Sequence, residues 1–293
     1  MLSHSPSPRI RTRQIIDADI DSAVNFLTEG FSRGSRQDWL LFFDRLAKHP
    51  TPAGLPKYGY LMERNGTLIG AVLLISSIVR AGDVSTTRCN LSSWYVVPAY
   101  RSYAALFVSQ ILKHKDVTYV NVSAAEHTLP ILAAQGFSKY TSGQFFTIPT
   151  PFTLSGDRRV RVMEVNASQD WHLDPVERDL LVSHAEYGCT SVCCVTSDRA
   201  YPFVFRSRVV KGFVPCAQLV YCRDLEEFVR FAQPLRRFLA LRGQPIVVID
   251  ANGRIPGIAG IYISGIRPRY FRGPQPPRLG DLAYTEAAMF GIY

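Results

Sequence analysis

Residues 94–106, WYVVPAYRSYAAL, end an apolar run with a proline, place Arg101 three residues later and then open on small residues. A strand that turns through such a loop into a helix brings backbone N–H groups and a helix N-terminus to one point, where a phosphate can sit. The glycines that usually line a phosphate loop are absent here. A second set, Cys189, Cys193 and Cys194 with His184, offers metal-type ligands. Its spacing matches no zinc pattern, and adjacent Cys193 and Cys194 point to opposite faces of a strand, so buried thiols and no metal are expected. A third set, IRPRYFRGPQPPR over residues 266–278, puts Arg267, Arg269 and Arg272 around Tyr270 and Phe271. That mixture can stack bases and grip phosphates. The other reading is a solvated, proline-rich loop with two anchoring aromatics, and no nucleic-acid motif accompanies the patch.

The chain around these residues has 293 positions, 47% of them hydrophobic and 19% charged. That supplies one large or two ordinary packed domains and excludes a disordered chain. The longest apolar run, GAVLLISSIV, is too short to span a bilayer and reads as a buried strand. Residues 1–9 are expected to be loose; with no secretory signal and no anchor read, a cytoplasmic protein is expected. The formal charge of +9 is scattered. It suits a phosphorylated cofactor, an acidic carrier protein, a membrane surface or nucleic acid.

Periodicity places the elements. Apolar residues at helical spacing mark DADIDSAVNFLTEGF, and RQDWLLFFDRLAKHP follows as a second helix. YGYLMERNGTLIGAVLLISSIVR is a hairpin around Asn65-Gly66, the pair that best supplies the positive φ of a tight turn. TTRCNLSSWYVV is a strand, residues 99–114 a helix, DVTYVNVSA a strand, LPILAAQGF a helix closed by Gly136, and QFFTIPT a last strand. After a linker over residues 149–157 the order begins again. RVRVMEV is a strand, DPVERDLLVSHAEYG a helix, and residues 189–210 a hairpin. Then come VPCAQLVYC, a long helix that Pro234 is expected to kink or divide, and PIVVID. The recurrence of strand, helix and strand argues for an internal duplication of about 140 residues.

Three pieces in this order, YLMERNGTLIGAVLL, SSWYVVPAYRSYAALFVSQIL and VTYVNVSAAEHTLPILAAQGFSKY, resemble the GCN5-related N-acetyltransferase superfamily over roughly residues 10–148. The resemblance implies an α/β fold of two such domains in tandem, each a mixed, mostly antiparallel sheet flanked by helices. Their bounds are 10–148 and 158–293, and the second is a degenerate copy. It implies that CoA or an acyl-CoA is the donor, with no metal. The pantetheine arm would add along Trp94, Tyr95, Val96 and Val97, and the phosphates would lie near Arg101, Ser102, Tyr103 and Ala104. Arg101 and Ala104 fit the superfamily's loop pattern; Leu106 replaces its last small residue. Leu106 either crowds the backbone or turns into the core and moves the phosphates toward Arg101.

The usual catalytic residues are missing. Leu132 stands at the superfamily's tyrosine, Ala125 near its asparagine, and Ser92-Ser93-Trp94 at its glutamate. What remains is Glu126-His127, with His127 as base and Glu126 orienting it, and Ser123 as a donor to the thioester or thiolate. Alternatively, His127 caps the helix that begins near Leu129. The acceptor would be a small molecule or a protein bearing an amine or hydroxyl, and an acidic acyl carrier protein is an alternative donor. The second copy opens its helix with Arg223-Asp224-Leu225-Glu226-Glu227, whose carboxylates repel a pyrophosphate. Two rivals stand beside the acyltransferase: a non-catalytic module that binds acyl-CoA or a partner, and a nucleic-acid protein using residues 267–278.

Overall fold

The computed structural model describes residues 10–32, 34–81, 84–147, 160–165 and 173–291. The loose N-terminus and the linker expected from the sequence lie outside these residues. The chain divides into two compact units, Met1–Ser138 with Tyr270–Pro276, and Lys139–Arg269 with Pro277–Tyr293. The fold is α/β, with mixed sheet and flanking helices.

The first unit runs β1 (Ile10–Gln14), α1 (Ile20–Gly30), α2 (Arg36–Lys48), β2 (Gly59–Arg64), β3 (Thr67–Ala81), β4 (Val84–Val96), α3 (Ala104–Ile111), β5 (Val117–Asn121) and α4 (Leu129–Ala134). Its sheet has the order β1-β2-β3-β4-β5, antiparallel except that β4 and β5 are parallel. Asn65 and Gly66 take the left-handed φ values, 50° and 82°, that the β2–β3 turn demands. One face of the sheet is closed by α3. Phe107, Val108 and Ile111 pack there with Leu74, Cys89, Leu91 and Tyr119. Leu132 of α4 is fully buried in the same cluster. Gly136 at φ 77° ends α4, and the Phe137 N–H closes back on the Leu132 carbonyl.

The second unit holds β6 (Ser138–Thr147), β7 (Arg161–Glu164), α5 (Pro175–Glu186), β8 (Thr190–Val195), β9 (Ala200–Val210), β10 (Val214–Cys222), α6 (Leu225–Ala240), β11 (Ile246–Ala251), β12 (Gly260–Arg272) and α7 (Glu286–Met289). The order β7-β8-β9-β10-β11-β6 is antiparallel except for the β10–β11 pair, and β12 follows β6. Phe228, Phe231, Leu235 and Leu239 of α6 bury one face against Phe203, Leu219, Val247 and Ile249. That burial keeps α6 continuous through Pro234, which does not divide it. The lost backbone bond, about 3 kcal/mol at an interior proline, is outweighed by four buried apolar side chains at about 1.5–3 kcal/mol each.

The basic patch requires a correction. Residues 266–272 belong to strand β12 rather than to a solvated loop. Arg269 is 1% exposed, with its Nε 2.8 Å from Asp250 Oδ2. Its guanidinium is therefore unavailable to a polynucleotide. Residues 270–272, the end of β12, pair with residues 121–119 of β5 and complete the first unit's sheet. Among the described residues no helix is long and apolar enough to cross a membrane, and no group of three His, Cys, Asp or Glu is placed to hold a metal.

Candidate functional site

Strand β4 carries the feature that makes a site. It pairs with β5 from Thr87↔Val117 to Asn90↔Val120, and the ladder then stops. Just beyond, Ser92 pairs with Leu73 but Tyr95 pairs with Ala71, so β4 has one extra residue. Ser93 takes φ 50° there. A bulge of this kind twists its strand and ends pairing on the far side. Residues 91–96 thus leave β5 while β5 runs on to Asn121. A parting between parallel strands exposes backbone donors and acceptors to an extended ligand.

The four residues expected along a donor arm occupy this stretch. Trp94 packs its ring against the core beside α3, and Val96 is buried there. Tyr95 turns the other way, with its ring 5.4 Å from Phe26 and 5.8 Å from Phe31. It lies so close to α1 that a Cβ on Gly30 would stand 2.5 Å from its Cδ1. The Val97 N–H donates to the Ile69 carbonyl at 2.9 Å, which anchors the strand's end to β3.

The following turn differs from its expected form. The helix expected over residues 99–114 is a 3-10 turn, Pro98–Tyr103, that leads into the shorter α3. The Tyr100 N–H bonds to the Val97 carbonyl at 2.8 Å, and the Ala104 N–H closes on Arg101. Part of the backbone N–H array implied for phosphates is therefore spent inside the turn. Side chains remain: Arg101, Ser102 and Tyr103 are exposed. Ala104 is buried at φ −61°, so its methyl fits. Leu106 is 57% exposed and neither enters the core nor blocks the turn. The Tyr100 hydroxyl accepts from Arg64 Nη1 at 2.7 Å and fixes the loop to β2.

Because β4 and β5 are parallel, the turns that follow them leave from the same end of the sheet. This brings Ser123, Glu126 and His127 to the same end as Arg101. Ser123 donates its N–H to Asn121 Oδ1 at 3.2 Å, which shapes the turn after β5. Glu126 and His127 lie in a 3-10 turn, both exposed. Their side chains make no hydrogen bond or ion pair among the described residues, so Glu126 does not orient His127 and His127 does not cap α4. Leu132 is core, as its full burial shows.

One residue escaped the sequence reasoning. Asn90 is 1% exposed, and neither its amide nitrogen nor its oxygen has a hydrogen-bond partner among the described residues. A buried amide without a partner costs about 1–3 kcal/mol, and natural structures retain few. It stands at the last paired position before β4 leaves β5. Cys89 and Leu91 face α3, so Arg88, Asn90 and Ser92 alternate to the opposite face, where α1 packs. All three are buried. No sequence signal separates such an asparagine from any other polar residue in a strand.

The second unit has the same strand–helix–strand arrangement with a different outcome. β10 pairs with β11 only from Cys216↔Ile246 to Gln218↔Val248. The parting beyond is occupied by the chain itself. Cys222 donates its N–H to the Gly280 carbonyl at 3.0 Å, and Leu282 donates to the Val220 carbonyl at 2.7 Å. At the head of α6, Asp224 accepts from the Glu227 N–H at 2.6 Å, and Arg223 is held by Glu177 at 2.6 Å. The six cysteines are all free and buried. Burial pushes the thiols of Cys89, Cys193 and Cys222 up to about 12, which leaves them protonated and inert.

Neither a protein-family model nor a curated protein matches the sequence. Solved structures match the fold. A GCN5-related N-acetyltransferase from Anabaena variabilis superposes with a TM-score of 0.61 at 11% identity, covering 90% of this chain and 72% of that one. A GCN5-related N-acetyltransferase from Kribbella flavida gives 0.56 at 12%, covering 90% and 71%. Eis1 from Mycobacterium abscessus gives 0.51 at 11%, covering 94% and 74%. At such identities the likeness establishes the fold.

Proposed function

We propose that the protein is an acyltransferase that takes an acyl group from CoA, or from an acidic acyl carrier protein, and passes it to an amine or hydroxyl. The observation that carries this reading is the contrast between the units: β4 parts from β5 with no segment seen paired into the parting among the described residues, whereas the matching parting in the second unit is filled by residues 280–282. The donor arm lies along Trp94 to Val97 in the first unit. Arg101 and Ser102 take the phosphates, with side chains replacing the N–H groups spent in the turn. The second unit is a degenerate copy of the same fold, and the carboxylates at the head of α6 keep phosphate away.

The acceptor approaches from the end of the sheet where β4 and β5 stop, beside the turns that carry Arg101, Ser123, Glu126 and His127. The acceptor nitrogen or oxygen attacks the thioester carbonyl, the C–S bond breaks, and the thiolate takes up a proton. Positioning supplies much of the acceleration in such a transfer. His127 is the nearest candidate base on the sequence argument, and Ser123 a donor to the leaving sulfur. The test is calorimetry with CoA and acyl-CoAs of several lengths. Micromolar binding, weakened about tenfold or more by Arg101→Ala, is the expected result. Absence of binding to all of them would overturn the CoA-dependent reading.

A second reading, a binding protein without catalysis, is favoured by Leu132 in the core and by Glu126 and His127, whose side chains have no hydrogen-bond partner among the described residues. Tight acyl-CoA binding with no acyl transfer to any amine in a broad panel is its expected outcome.

A further inference from the structure

We propose that the second unit carries its own ligand site, separate from the donor slot, for a medium-chain carboxylate. A cavity of about 710 Å³ opens between the first two turns of α6, the end of β11 and the loop after it. Leu225, Val229, Ala251, Ile255, Pro256 and Leu279 give it apolar walls. Its volume falls within the range of small-molecule pockets, about 300–1,000 Å³.

The walls are built rather than accidental. Leu225 and Val229 are one helical turn apart on α6, and both pack against the unit's core. Ile255 is buried behind them. Gly280 passes so close that an added Cβ would stand 2.6 Å from Cys222 Sγ and 3.4 Å from Leu225 Cδ2. The cavity therefore lies beside the parting of β10 and β11, whose backbone edge residues 280–282 already occupy. With that edge taken, a ligand here cannot be held by strand addition. It must be held by its apolar body.

The rim sets the sign of the head group. The exposed lining residues are Glu226, Arg230, Asn252, Arg254 and Pro256, which place two positive charges against one negative. Arg254 has no hydrogen bond or ion pair among the described residues. Arg230 donates Nη1 to the Tyr201 hydroxyl at 3.1 Å and stacks 5.2 Å over the Tyr201 ring, which stiffens it and leaves other N–H groups for a ligand. A diphosphate, with its several charges, is disfavoured by Glu226 on the rim, by Glu227 beside it in the first turn of α6 and by Asp224 at the N-cap. A single carboxylate on an aliphatic chain satisfies both the walls and the rim.

Calorimetric titration of the full chain with decanoate, and with decyltrimethylammonium as a cation of equal chain length, tests this. Decanoate is expected to bind at least about tenfold more tightly than the cation. Arg254→Glu, on an exposed loop, should weaken decanoate about tenfold and remove the preference for the anion. Val229→Trp, with its fold checked by circular dichroism, should abolish binding of both by filling the cavity. Failure of decanoate to bind, equal binding of the cation, or decanoate binding untouched by Arg254→Glu and by a folded Val229→Trp would each overturn the proposal.

Discussion

Asn90 keeps both ends of its amide buried without a partner among the described residues. A leucine of similar volume would remove that cost, so Asn90→Leu is expected to stabilise the protein by about 1–2 kcal/mol. Denaturant unfolding of the variant checks this, and a loss of stability would contradict it. His49 gives a second expectation. Its ring is buried, and Nε2–H donates to the Ser76 carbonyl at 2.9 Å. Desolvation holds its pKa below the ordinary 6.5, against the opposing pull of that bond. The unfolded chain therefore takes up a proton near pH 6.5, before the folded chain does. Stability should fall as pH drops below about 6.5 and stop falling beneath the lowered folded value. Melting temperatures between pH 8 and 5 should show this slope, and His49→Asn should flatten it. The sequence marked His127 and not Asn90 because a histidine advertises chemistry by its type, whereas an orphaned amide is visible only once its neighbours are in place.

At the scale of elements, the sequence was readable where local chemistry decides and silent where pairing decides. Asn65-Gly66 and Gly136 dictated a turn and a helix end through left-handed φ, and both are found as expected. The bulge in β4 carries no such mark, since a serine at φ 50° is not a turn signal. The arginines and prolines of residues 266–272 read as a solvated loop or a nucleic-acid patch, because the partners that make them part of β12 lie far off in sequence, and the buried Asp250 takes the Arg269 charge away from the surface. The bulge can be probed directly. Ser93→Gly removes the left-handed penalty, so it should raise stability by up to about 1 kcal/mol and keep the parting of β4 from β5. Ser93→Val puts a β-branched residue where φ is positive, which should cost about 1–3 kcal/mol and move the bulge. Donor affinity measured on the pair should survive in the first and drop in the second. Equal affinity in both would detach the bulge from donor binding.

At the scale of the whole chain, each unit is completed by a segment distant in sequence. β6 directly follows the elements of the first unit yet pairs with β11, from Phe146↔Val248 to Gly143↔Ala251. Residues 270–272 return from β12 to pair with β5, and Gly273 then passes so close that an added Cβ would stand 2.6 Å from Thr118 Cα. Gln275 and Thr118 exchange hydrogen bonds at 3.1 and 3.4 Å behind it. A fragment of residues 10–148 keeps every predicted donor residue but leaves the outer edge of β5 bare. Unpaired strand edges recruit other chains, so this fragment should aggregate and fail to bind CoA. The same fragment with residues 266–278 joined through a flexible linker should recover solubility and donor affinity, because the missing partner of β5 is then supplied at high effective concentration. Sedimentation and calorimetry on the two fragments distinguish the cases. A monomeric 10–148 with the affinity of the full chain would show that the returning strand is dispensable and that the first unit is a self-sufficient donor-binding domain.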